Sequence, residues 1–248
     1  MEKSVKKYLQ TLLMIIILLS SKQNIFAQDN IMKSNIFVEE AGQMVDYILI
    51  LPKNYESARK YPLFIYMHGR GYSSNDVLND WYSLFTNQSC YILIPEASIK
   101  LHDRSFSWYD RDSEKFIVHM EESESMIVAL TQHMIKKYNV DTSRIVLSGF
   151  SQGGRLAYYI GFKNPKLFSE IVPISGYYMA DILDPYIKNI GNLKVSIYIG
   201  TQDDVNPFEA VEKVYNKFKA EGINTSLHGY PVEHTCTDEM LETILNNI

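Results

Sequence analysis

The stretch LSGFSQGGRLAYY, Leu147 to Tyr159, sets a serine between glycines at the end of a short apolar run. Gly149-Phe150-Ser151-Gln152-Gly153 fits the pattern G-x-S-x-G, which by itself is weak evidence of anything. Its context carries more. The run Ile145 to Leu147 (IVL) reads as a strand, and Gly153 to Phe162, with RLAYYIGF, reads as a helix. A sharp strand-to-helix elbow lifts a serine Oγ out at the strand tip, and flanking glycines leave room for a turn in which larger Cβ groups would clash. The competing reading is a tight turn with a solvated serine. What separates the two is whether the rest of the chain supplies a base and an acid.

Working outward from this stretch, apolar, turn-bounded runs recur at Val45–Leu51, Leu63–Met67, Tyr91–Ile94, Ile171–Ile174, Val195–Ile199 and Thr225–Tyr230. Helical patterns lie between them, at Val77–Phe85, Phe116–Tyr138 and Pro207–Glu221. In the second of these Ile127, Leu130, Met134 and Tyr138 recur at three- and four-residue spacing and form one apolar face. Nearly continuous apolar strands alternating with helices predict an α/β fold, a mostly parallel sheet covered by helices on both faces. Sites in such sheets gather at the carboxyl ends of the strands. The loops to read are therefore HGRGYS after Met67, EASIKLHDRSFSWYD after Pro95, GFSQGG, SGYY after Ile174, GTQDDVNP after Ile199, and PVEHT after Tyr230.

A serine hydroxyl needs a base within hydrogen-bond reach, and the base needs a carboxylate to orient it. In an elbow of this kind the order along the chain is serine, acid, histidine. Only His228 and His234 follow Ser151. His228 falls inside the last strand pattern and reads as a packed or surface histidine. His234 falls in the loop beyond it, where an imidazole can reach over the serine, and is the expected general base. Asp203 and Asp204 share the loop after Ile199, and spacing does not choose between them. A tetrahedral oxyanion needs backbone N–H donors. Gln152, following the serine at a helix N-terminus, is one. Arg70, following His68-Gly69, is the other.

With these residues in view the chain resembles the α/β-hydrolases of the phospholipase/carboxylesterase (serine esterase) group, including secreted feruloyl and acetyl esterases. The resemblance rests on MHGRG (Met67–Gly71), SWYD (Ser107–Asp110), DTSRIVLSGFSQGG (Asp141–Gly154), PISGY (Pro173–Tyr177), GTQDDVNP (Gly200–Pro207) and His234, which together extend over most of the chain. It implies the α/β-hydrolase fold and a Ser-His-Asp triad, and the family's G-x-x-D places the acid on Asp203. Two positions depart from the family pattern. Arg155 stands where a small apolar residue is usual, and Asn206 stands before Pro207 in place of an apolar one.

Composition bounds the rest. Lys3, Lys6 and Lys7 precede an unbroken apolar run, Leu12–Leu19, and then small or polar residues up to Ala27. A run this short is less than half of the roughly 20 residues a membrane-spanning helix needs, so residues 1–27 are expected to be a cleaved signal peptide and the protein to be exported, periplasmic or extracellular. Residues 28–248, about 220 residues, suit one α/β-hydrolase domain. The formal charge of −5 includes a basic leader, so the mature chain is near about −8, and an acidic chain without a basic run is a poor binder of nucleic acid. Cys90 and Cys236, the two cysteines, start one strand and follow another, and are expected to be too far apart for a disulfide. No histidine, cysteine or carboxylate cluster has metal-ligand spacing, and no cofactor is expected.

The expected activity is hydrolysis of small or carbohydrate-linked carboxylic esters through an acyl-enzyme, with Ser151, Asp203 and His234 catalytic. Only 20 residues separate the strand patterns at Ile171–Ile174 and Val195–Ile199, too few for a large lid, so an open pocket is expected. Trp108 and Tyr109, in the long loop Glu96–Asp112, are candidates to stack on an aromatic or sugar group, with packing into the core as the alternative. Other readings on the same residues are a serine peptidase, a thioesterase, or an inactive binding protein on the same scaffold.

Overall fold

The computed structural model describes residues 30–248 and the backbone of Asn24–Phe26. Its main sheet has nine strands: β1 (Asn24–Phe26), β2 (Ile31–Val38), β3 (Gln43–Ile50), β4 (Tyr61–Met67), β5 (Tyr91–Pro95), β8 (Val140–Phe150), β9 (Glu170–Ile174), β10 (Lys194–Gly200) and β11 (Thr225–Tyr230). A two-stranded hairpin, β6 (Ile99–His102) and β7 (Ser105–Ser107), stands apart. The spatial order is β1-β2-β3-β5-β4-β8-β9-β10-β11. Strands β1, β2, β3 and β5 pair antiparallel, and every neighbour from β5 through β11 is parallel. All seven strand patterns read from the sequence are in this sheet.

Burial on both faces follows from the two-residue period of a strand. Along β4, Leu63, Ile65 and Met67 face a layer formed by α2 (Phe116–Lys137), α3 (Gln152–Lys163) and α5 (Phe208–Ala220). Phe64 and Tyr66 face the opposite layer, α1 (Ser74–Thr86) and α6 (Asp238–Leu245). Strand β4 is buried throughout, which is why its sequence reads as a continuous apolar run. Between β9 and β10 the chain makes only the four-residue helix α4 (Ala180–Leu183) and a 3₁₀ segment, Asp184–Asn189.

Five features were not expected: β1, β2, the β6–β7 hairpin, α6, and the short helical stretch between β9 and β10 made of α4 and the 3₁₀ segment. Strand β2 lies near the sheet edge, and its residues Lys33 to Phe37 are exposed or half-buried, so IMKSNIFV lacks a continuous apolar run. Helix α1 begins three residues earlier than the hydrophobic pattern because Ser73 and Asp76 form a reciprocal cap. Ser73 Oγ accepts from Asp76 N at 3.2 Å, and Ser73 N donates to the Asp76 carboxylate at 2.9 Å. The leader expected at 1–27 lies outside the described residues, apart from Asn24–Phe26, which pair with Ile31–Lys33.

Candidate active site

The elbow is a property of backbone contacts. Ser151 has φ 54° and ψ −106°, a left-handed conformation costly for any residue with a Cβ, and it occupies the N-cap position of α3 without a side-chain capping bond. The glycines around it permit this. A Cβ on Gly153 would stand 2.2 Å from Met67 O, and one on Gly149 would stand 2.6 Å from Gly153 C. Only glycine lets the first turn of α3 sit this close to β4 and β8. The Ser151 N–H donates to Ile174 O at 2.9 Å, which ties the elbow to the end of β9.

Three strand ends converge on this serine. His234, in the loop after β11, has Nε2 2.9 Å from Ser151 Oγ and Nδ1 2.8 Å from Asp203 Oδ2. The other oxygen, Asp203 Oδ1, accepts from the backbone N–H groups of Val205 at 3.0 Å and Asn206 at 2.7 Å. Asp203 is buried, whereas Asp204 is exposed. The arrangement therefore joins Asp203, and not its neighbour, to the imidazole. Phe150 packs at 5.0 Å on the His234 ring, centroid to centroid. His228 lies elsewhere, stacked at 4.4 Å on Tyr198 and bonded to Ser226, and burial lowers its pKa.

The Arg70 and Gln152 N–H groups have no backbone acceptor among the described residues. The turn carrying Arg70 is pinned on both sides: Gly71 N donates to Phe106 O of β7 at 2.8 Å, and Tyr72 N to Gly69 O at 3.3 Å. Two residues that the sequence reading passed over hold the start of this turn. His68 is fully buried, with Nδ1 2.8 Å from Gly69 O and Nε2 3.0 Å from a Glu96 oxygen. Glu96 in turn accepts from the Ser74 N–H and hydroxyl at the start of α1. The only sequence signal for His68 and Glu96 was that each stands directly after a strand in a chemistry-bearing loop.

Trp108 and Tyr109 require a correction. Trp108 is 0% exposed and Tyr109 3% exposed, so neither ring offers a free face to an aromatic or sugar group. The reason lies in the polar atoms around them. The Trp108 indole N–H donates to His68 O at 2.8 Å and its backbone N–H to Gln152 Oε1 at 2.9 Å, while Gln152 Nε2 donates to Tyr109 O at 2.9 Å. The loop is drawn inward by these bonds and braces both the Arg70 turn and the start of α3. The two cysteines are free, and burial pushes both thiols up to about 12.

A family model described as phospholipase/carboxylesterase matches residues 54–248. The chain belongs to that family. It is 30% identical over 115 residues to acyl-protein thioesterase 1 homolog 2 of Dictyostelium discoideum, an alignment covering 46% of this chain and 51% of that protein. It is 27% identical over 181 residues to a probable feruloyl esterase C of Aspergillus flavus, covering 71% of this chain and 61% of that one. The chain thus spans between half and two thirds of the length of these relatives. Among solved structures, the esterase PE8 superimposes with a TM-score of 0.63 at 21% identity, covering 80% of this chain and 95% of that one. A carboxylesterase from Mesorhizobium loti gives 0.69 at 15% identity, covering 87% and 99%. The phospholipase/carboxylesterase family assignment and these superpositions agree on the α/β-hydrolase fold, mostly parallel sheet and flanking helices included.

Proposed function

We propose that this protein is an exported serine esterase that hydrolyses small or carbohydrate-linked carboxylic esters. The observation that carries the reading is the imidazole of His234 within hydrogen-bond distance of both Ser151 Oγ and Asp203 Oδ2. Ser151 Oγ attacks the ester carbonyl while His234 Nε2 takes the hydroxyl proton. The carbonyl oxygen gains the negative charge and is held by the Arg70 and Gln152 N–H groups, each such donor contributing about 3 kcal/mol to the barrier when lost. Collapse of this intermediate breaks the bond to the alcohol oxygen, which leaves with the proton from His234. Water, deprotonated by the same nitrogen, then attacks the acyl-serine and releases the acid. Asp203, its second oxygen satisfied by two backbone N–H groups, fixes the imidazole tautomer with the proton on Nδ1.

The substrate class is supported by the feruloyl esterase relative. Export rests on the leader sequence, and cleavage after Ala27 would remove β1 and leave β2 as the sheet edge. Residues 28–248 then form one domain. The deciding experiment is Ser151→Ala assayed on p-nitrophenyl acetate and butyrate. The variant should keep the wild-type circular dichroism and lose hydrolysis, and retained turnover would overturn the proposal.

A further inference from the structure

We propose that Arg155 makes this esterase selective for esters carrying a carboxylate, so that an anionic group of the substrate docks on its guanidinium while Ser151 attacks the ester carbon. The inference rests on the esterase reading above and adds a substrate charge to it. Arg155 lies one helical turn beyond Ser151, its N–H donating to Ser151 O at 3.0 Å. Its guanidinium carbon lies 5.1 Å from the ring centroid of Tyr177 and 5.5 Å from that of Tyr109. Tyr177 comes from the loop after β9 and Tyr109 from the segment after β7. The β9 loop packs closely on the same helix turn, since a Cβ on Gly176 would meet Gly154 C at 2.5 Å.

Arg155 is half-buried, and this placement serves no ion pair. Among the described residues no carboxylate pairs with Arg155, and its Nε is buried without an acceptor. Here the ring faces restrain the side chain, so its terminal nitrogens can meet a carboxylate with little further loss of side-chain freedom. Two parallel N–H···O bonds from one guanidinium to one carboxylate supply both the attraction and the orientation. Arg111, exposed on the loop that carries Tyr109, adds positive charge on the same side. Next to Tyr177 lies a small apolar recess lined by Tyr158, Val205, Pro207 and Val211, able to take the hydrocarbon that joins the carboxylate to the ester.

The test compares matched esters in the full-length enzyme. For the acyl half the pair is p-nitrophenyl hydrogen glutarate and p-nitrophenyl pentanoate; for the alcohol half it is 4-acetoxybenzoate and 4-acetoxybenzamide. The kcat/KM ratio of anionic to neutral ester should fall about tenfold from wild type to Arg155→Met in at least one pair, and the wild-type ratio in that pair should fall as salt is raised. A change below threefold in both pairs overturns the proposal. Should Arg155→Met not fold, the salt series on the wild type decides, and a ratio indifferent to salt in both pairs overturns it. Failure of the esterase reading is distinguishable, because the wild type would then turn over neither neutral ester.

Discussion

Replacing Asp203 by asparagine isolates the electrostatic half of the candidate triad, because the exchange keeps the shape of the side chain and reverses one hydrogen-bond direction. Asp203 Oδ1 accepts two backbone N–H groups, from Val205 and Asn206, so the amide oxygen of an asparagine must take that place. The amide nitrogen then faces His234 Nδ1, now 2.8 Å from a carboxylate oxygen, and can only donate to it. The imidazole is driven to the tautomer with its proton on Nε2, the nitrogen 2.9 Å from Ser151 Oγ, and cannot accept the serine proton. Loss of the correct tautomer and of the charge opposite the imidazolium should lower kcat on the order of 10⁴-fold, about 5 kcal/mol of barrier. The fold should be unaffected, since both loop-closing bonds to Oδ1 survive. The assay is steady-state hydrolysis of p-nitrophenyl butyrate, with Asp204→Asn, an exposed neighbour, as the comparison. A loss smaller than tenfold in Asp203→Asn, or an equal loss in Asp204→Asn, would refute this account of the acid.

Three further outcomes follow from the same contacts. Ser151→Gly should abolish turnover and yet raise the unfolding free energy by about 1 kcal/mol in a urea titration, because it relieves the positive φ at the elbow; a destabilised variant would contradict the strain. Gly153→Ala places a methyl against Met67 O and should cost about 3 kcal/mol or more in the same titration, whereas unchanged stability would show that β4 and α3 can separate freely. With both thiols pushed up to about 12, neither Cys90 nor Cys236 should be alkylated by iodoacetamide in the native protein at neutral pH. Both should react after denaturation, and a disulfide detected by mass would contradict the free pair.

Parts of this structure were legible in the chain because one physical signal dominated them. Strand β4 is buried throughout, and β8 and β10 are buried over Ile145–Gly149 and Val195–Gly200, so each carries a readable apolar stretch, and the loops behind them hold part of the candidate site. The G-x-S-x-G stretch was legible for a steric reason, confirmed by how close Met67 O stands to Gly153. The choice of Asp203 over Asp204 needed the family resemblance, since adjacent carboxylates differ only in which one the loop turns inward. Strand β2 escaped because Lys33 to Phe37 are exposed or half-buried, and the β6–β7 hairpin because IKLH and SFS are too short to show a period. For Trp108 the sequence left substrate contact and core packing both open, because its burial depends on partners distant in sequence, His68 O and Gln152 Oε1. The His68–Glu96 pair was invisible for the same reason.

The central claim is that Ser151 Oγ, activated by His234, becomes acylated. Incubation with a fluorophosphonate and mapping of the adduct by peptide mass spectrometry tests it most directly. One phosphonyl group per chain on the peptide containing Ser151, absent in Ser151→Ala and strongly slowed in Asp203→Asn, is the expected result. An adduct on any other residue, or an active enzyme that takes up no label, would contradict it.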